Sequence, residues 1–126
     1  MSVPFQYAIL RVVPSLERGE FVNAGVVLFC RQRRFLAATV ELDRARLAAV
    51  APGFSPELVQ PHLDALVAVA AGDPSGGSVA ALEQSERFHW LVAPSSTVVQ
   101  ASPVHTGLCE DPAVTLEHLV ERLVRL

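Results

Sequence analysis

Two apolar stretches near the start of the chain, Phe5 to Val13 and Phe21 to Cys30, are separated only by Pro14 and the link Ser15-Leu16-Glu17-Arg18-Gly19-Glu20. A link this short cannot carry a crossover, so two strands joined by it must pair antiparallel. Tyr7, Ile9 and Val13 fall on one face of the first strand with Arg11 among them, and Ala8, Leu10 and Val12 on the other. Phe21 to Cys30 is apolar on both faces, which predicts a central strand. The polar turn Arg31 to Arg34 leads to a third strand over Phe35 to Leu42, and Pro14 ends the first.

Helical signals follow. Asp43 is a candidate N-cap for a short helix that stops before Pro52. Ser55-Pro56 reads as a helix start, with Val59, Leu63, Leu66, Val67 and Ala70 at helical spacing beyond it. Gly72 to Gly77 reads as a surface loop, part of a variable stretch around 72–78, and Val79 to Leu91 as partly helical. Thr97 to Ala101 reads as a short fourth strand. The closing element is the clearest: Asp111 caps, Pro112 takes the first turn, and Leu116, Leu119, Val120 and Leu123 form an apolar stripe. The whole predicts one α+β domain over residues 1–126, an antiparallel β-meander of three to four strands packed by two to four helices as a single pair of layers.

Composition bounds function. The net charge is −3, and all ten basic residues are Arg. Exclusive Arg usage reads first as codon bias and second as a need for forked guanidinium groups. An acidic chain without a basic run is a poor match for duplex DNA or an anionic membrane. No apolar stretch approaches the ~20 residues that a membrane span requires, and Met1 to Phe5 has no export-signal pattern, so the expected location is the cytoplasm. Cys30 and Cys109 are then expected to be reduced, with Cys30 buried and inert.

Two polar constellations stand out. The first is Arg11, Arg18, Glu20 and Asn23. If the first two strands pair about Glu17, Arg11 opposes Asn23, Ile9 opposes Gly25 and Tyr7 opposes Val27, which puts a guanidinium beside an amide on one face. That pair suits a carboxylate or phosphate ligand; equally, Glu20 or a loop carbonyl could satisfy Arg11 internally. Gly25 would permit a close approach to the backbone.

The second constellation runs from Arg87 to Asp111 and holds His89, Trp90, Ser95, Ser96, Gln100, Ser102, His105 and Cys109. A Cys109–His105 nucleophile lacks an evident orienting group, and Ser96 lacks a nucleophile elbow. The His and Cys spacings fit no common zinc site, so no metal or other cofactor is expected. The alternative is a packed connection in which Asp111 caps the last helix and His105 bonds locally. No phosphate-binding loop or dinucleotide fingerprint is present.

Two segments carry a resemblance. RGEFVNAGVVLF (Arg18 to Phe29) and RFHWLVAPSSTVVQASPVHTGLCEDP (Arg87 to Pro112) resemble the N- and C-terminal hallmarks of a bacterial family known only as domain of unknown function 3037. The resemblance covers nearly the whole chain, with Leu42 to Glu86 variable. At Ser95 this chain departs from the Arg expected in the family. The resemblance carries no activity with it. It implies an accessory role, because members are often encoded beside HipA-type kinase-like proteins. The leading expectation is thus a non-catalytic binding or accessory module with a kinase-like protein partner. The alternative is a small anion-binding domain or enzyme using an Arg/His cluster. Arg11, Arg18, Glu20, Asn23, Arg87 and His105 are the candidate binding residues, and self-association is left open.

Overall fold

The computed structural model describes residues 1–125. Strands β1 (Val3–Val12), β2 (Val22–Cys30) and β3 (Phe35–Val40) form the expected antiparallel meander. Helix α1 (Arg44–Val50), a 3-10 turn at Pro56–Leu58, α2 (Gln60–Ala71) and α3 (Gln84–Val92) follow. Two short strands, β4 (Val99–Ala101) and β5 (His105–Cys109), precede α4 (Pro112–Leu123). Every strand pairing is antiparallel, in the order β3-β2-β1, with β4 and β5 sharing the remaining edge of β1. No helix among the described residues is long and apolar enough to cross a membrane.

β5 is an addition to the sequence reading, which treated His105 to Cys109 as a connection. It has five residues, one a glycine, and only Cys109 is buried, so neither alternation nor an apolar run marked it. Its edge location explains the weak signal. Ser102 joins the two short strands into one ladder. Its N–H donates to the Ile9 carbonyl at 2.8 Å, and its Oγ accepts from the Ile9 N–H, also at 2.8 Å. The side-chain oxygen therefore stands in for a backbone carbonyl where Pro103 interrupts the strand.

The expected register holds at Arg11–Asn23 and then slips. Leu10 pairs with Gly25, Ile9 with Val26 and Tyr7 with Leu28, because Ala24 is an extra residue on β2. This bulge reverses the facing of the rest of β2. Val22 and Ala24 join Val27 and Phe29 in one core, while Val26, Leu28 and Cys30 belong to a second. Gly25 lies at the bulge because a Cβ there would meet the Thr39 carbonyl oxygen at 2.6 Å and Val40 Cγ1 at 2.9 Å. The close approach foreseen at Gly25 is thus made by β3 of the same chain.

The fold is α+β, but it has three layers where one pair was expected. α1, α2 and α3 pack on the face built from Ala8, Leu10, Val12, Phe29 and Leu36. α4 packs alone on the opposite face, setting Leu116, Leu119 and Val120 on Val3, Phe5, Val26 and Leu28. A central strand that is apolar on both sides requires cover on both sides, and β2 is that strand. The caps agree with the sequence. Asp43 accepts from the Arg46 N–H and Asp111 from the Ala113 N–H, at 2.9 and 3.0 Å. At the second helix the signal was early: Ser55 bonds Glu57 instead of capping, and α2 begins only at Gln60.

Candidate functional site

α4 covers the β2 and β3 side of its face and leaves the β1 side less covered. Tyr7, Ile9 and Arg11 are half-buried there, and His105 is exposed. Near the far end of β1, Arg11 pairs with Asn23 across the strands. The Arg11 guanidinium lies 4.1 Å from the ring centroid of Phe21, which is 45 % exposed. Stacking on an exposed ring holds the charge in place without neutralising it. Asn23 donates its amide N–H to the Leu123 carbonyl at 3.1 Å, which ties the end of α4 to the sheet.

Two atoms at this position are unsatisfied. Arg11 Nε and Asn23 Oδ1 are both buried and have no hydrogen-bond partner among the described residues. Glu20 does not serve Arg11: its carboxylate accepts from Arg18 Nε at 2.6 Å on the exposed loop. That bond holds the Glu20 carboxyl below its ordinary range. An adjacent buried donor and acceptor, both unpaired among the described residues, mark the place on this face where polar groups lack protein partners.

The remaining candidates lie elsewhere. His105 pairs with Tyr7 on the edge of the same face, their ring centroids 5.3 Å apart, and Tyr7 in turn stacks on Phe5. Arg87 belongs to α3, in the opposite layer, where it donates to the Leu82 carbonyl at 2.6 Å and to the Ala70 carbonyl at 3.4 Å. It pins α3 to the end of α2 and does not approach Arg11. The segment after it does reach β1, through β4 and β5, so the two sequence hallmarks meet along that strand without Arg87.

Cys109 and His105 do not form a nucleophile pair. Cys109 is buried, and its thiol is pushed up by burial and by the neighbouring Cys30. Among the described residues, no three His, Cys, Asp or Glu side chains are grouped to hold a metal ion.

A second polar feature was missed in the sequence. A cleft of about 470 Å³ is lined by Arg31, Arg34 and Arg87 with Glu83, Gln84 and Ser85, over a floor of Phe29. Gln84 closes it at one point by donating to the Arg34 carbonyl at 2.9 Å. The available signal was three arginines within the four-residue turn Arg31 to Arg34. On their own they read as a solvated turn; the fold places them against α3.

The architecture is an antiparallel sheet covered by three helices on one face and by α4 on the other. The chain belongs to the family described as "Protein of unknown function (DUF3037)", whose model matches residues 7–124. No curated protein and no solved structure matches it.

Proposed function

We propose that the protein is a non-catalytic binding module. It holds a carboxylate-bearing segment of a protein partner on the open part of its sheet, anchored by Arg11 and Asn23. The observation that carries this reading is the pair of adjacent unsatisfied atoms, Arg11 Nε and Asn23 Oδ1. A buried polar group without a partner costs about 1–3 kcal/mol. A polypeptide chain supplies both partners, an oxygen for the guanidinium and an N–H for the amide oxygen. Exposed Phe21 lies against Arg11, and exposed Leu16 belongs to the same β1–β2 loop, so both can offer the apolar contacts that accompany an Arg anchor in protein interfaces.

The family resemblance points to a HipA-type kinase-like protein as the first partner to test, in the cytoplasm. Titration of the purified kinase-like protein from the same host should give a saturable complex. Arg11→Met should weaken it at least about tenfold, or ~1.4 kcal/mol, while the thermal midpoint changes little, since the substitution removes an unpaired donor. Absence of any complex would overturn the accessory reading. Equal affinity for Arg11→Met and the parent would place the interface elsewhere. An enzyme or anion site built on Arg11, Arg18, Arg87 and His105 has less support, because Arg18 bonds Glu20 on the exposed loop and Arg87 lies in the opposite layer.

A further inference from the structure

Seven of the chain's ten arginines fall into two contrasting groups. Arg18, Arg44, Arg46 and Arg125 take part in ion pairs with carboxylates. Arg31, Arg34 and Arg87 take part in none among the described residues, yet all three line one cleft. An acidic protein with carboxylates to spare has left these three without a counter-charge. Arg87 Nε is buried and has no hydrogen-bond partner among the described residues, while the other two nitrogens of that guanidinium donate to carbonyls.

The same cleft receives the start of α3. No side chain caps this helix, and Gln84 and Ser85 of its first turn line the cleft. The first N–H groups of a helix lack intrahelical partners and carry partial positive charge. The only acidic group in the lining is Glu83, so three guanidinium charges face one carboxylate. A volume near 470 Å³ is in the range of small-molecule sites and too small for a folded partner.

From this convergence we propose that the cleft between the β2–β3 turn and the start of α3 binds the phosphate group of a small phosphorylated molecule. The guanidinium forks of Arg31 and Arg34 and the helix N–H groups match the geometry and charge of phosphate oxygens, and Arg87, its fork held by carbonyls, adds charge. Phe29 at the floor leaves an apolar surface for the body of the ligand. The site lies on different residues from the Arg11 surface, so the two readings stand or fall separately.

The test is calorimetric titration of the full chain with inorganic phosphate and with pyrophosphate, alone and in added salt. Arg34 is the one non-glycine residue with positive φ among those described, at 51°. Glycine adopts that conformation freely, so Arg34→Gly removes the charge while keeping or raising stability. It should bind pyrophosphate about tenfold more weakly, the loss expected for one charge-assisted contact. Arg33→Ala is the matched control, because Arg33 turns away and donates to the Met1 carbonyl at 3.0 Å; it should bind like the parent. Glu83→Gln should bind more tightly, which a purely structural role for Glu83 would not produce. No saturable heat with either anion up to about 10 mM would overturn the proposal. Equal weakening in Arg33→Ala and Arg34→Gly would also overturn it, showing only a diffuse charge effect.

Discussion

The two faces of the sheet are built differently. One is sealed by three helices over a core that includes Leu10, Val12, Leu63 and Phe88. The other has a single helix, and where α4 ends the strand positions turn polar or half-exposed, at Tyr7, Ile9, Arg11 and Asn23. The sealed face can supply most of the folding energy. Two of the three buried side-chain atoms without a partner among the described residues, Arg11 Nε and Asn23 Oδ1, belong to the open face, and the third, Arg87 Nε, to α3 in the three-helix layer.

Truncation in each core should expose this asymmetry. Phe88 is 1 % exposed, and its ring centroid is 5.3 Å from that of Phe29. Phe88→Ala should cost about 3–5 kcal/mol in denaturant unfolding. Leu119 is 7 % exposed under a lone helix. Leu119→Ala should fall near the lower end of the usual range, about 2–3 kcal/mol, because the site can relax. A larger loss at Leu119 would mean that α4, and not the three-helix layer, dominates stability.

The junction between the faces should be nearly as sensitive. Ser102 is 3 % exposed, and its Oγ accepts the Ile9 N–H. Ser102→Ala leaves that buried donor unpaired, at a cost of about 1–3 kcal/mol. Amide exchange at Ile9 should rise more than at Leu10. Unchanged exchange at Ile9 would show that another acceptor replaces the hydroxyl, and the β4–β5 ladder would then not depend on Ser102.

What the sequence made legible follows the same division. The β1–β2–β3 meander, the caps at Asp43 and Asp111 and the α4 stripe were readable because each rests on local periodicity or on one side chain bonding its own helix end. The second layer was not, since an apolar strand announces that both faces are covered but not by what. The slip beyond Arg11–Asn23 was hidden because a bulge leaves no fixed mark in composition. Arg11 and Asn23 were found as polar residues on apolar strands, and they are neighbours. Arg87 was grouped with them by the hallmark it opens, yet α3 lies in the other layer. Arg31 and Arg34 gained a partner in Arg87 only through contacts between segments far apart in the chain.

The smallest effect concerns what holds the lone helix in place. Arg125, just past α4, donates from Nε to both Glu41 oxygens at 2.9 Å and also pairs with Glu117. These bonds hold the Glu41 carboxyl below its ordinary value of 4.5 and raise the Arg125 guanidinium. A carboxyl lowered in the folded state stabilises it above the ordinary value, and that contribution disappears as pH falls through the folded value. Acidification below about pH 4.5 should therefore loosen α4 before the three-helix layer. The groups facing Glu41 are exposed, so the effect is modest and weakens with salt. Glu20, Glu57 and Asp73 are also held low, so a global melting curve cannot isolate Glu41. Residue-resolved hydrogen exchange can. Between pH 6 and pH 3, after correction for intrinsic rates, protection at Leu119 and Val120 should fall relative to Leu63 and Leu66. In Glu41→Gln the α4 amides should start less protected and change less with acid. An identical acid response in Glu41→Gln would show that the Arg125 bridge does not hold the helix, and that its apolar stripe alone does.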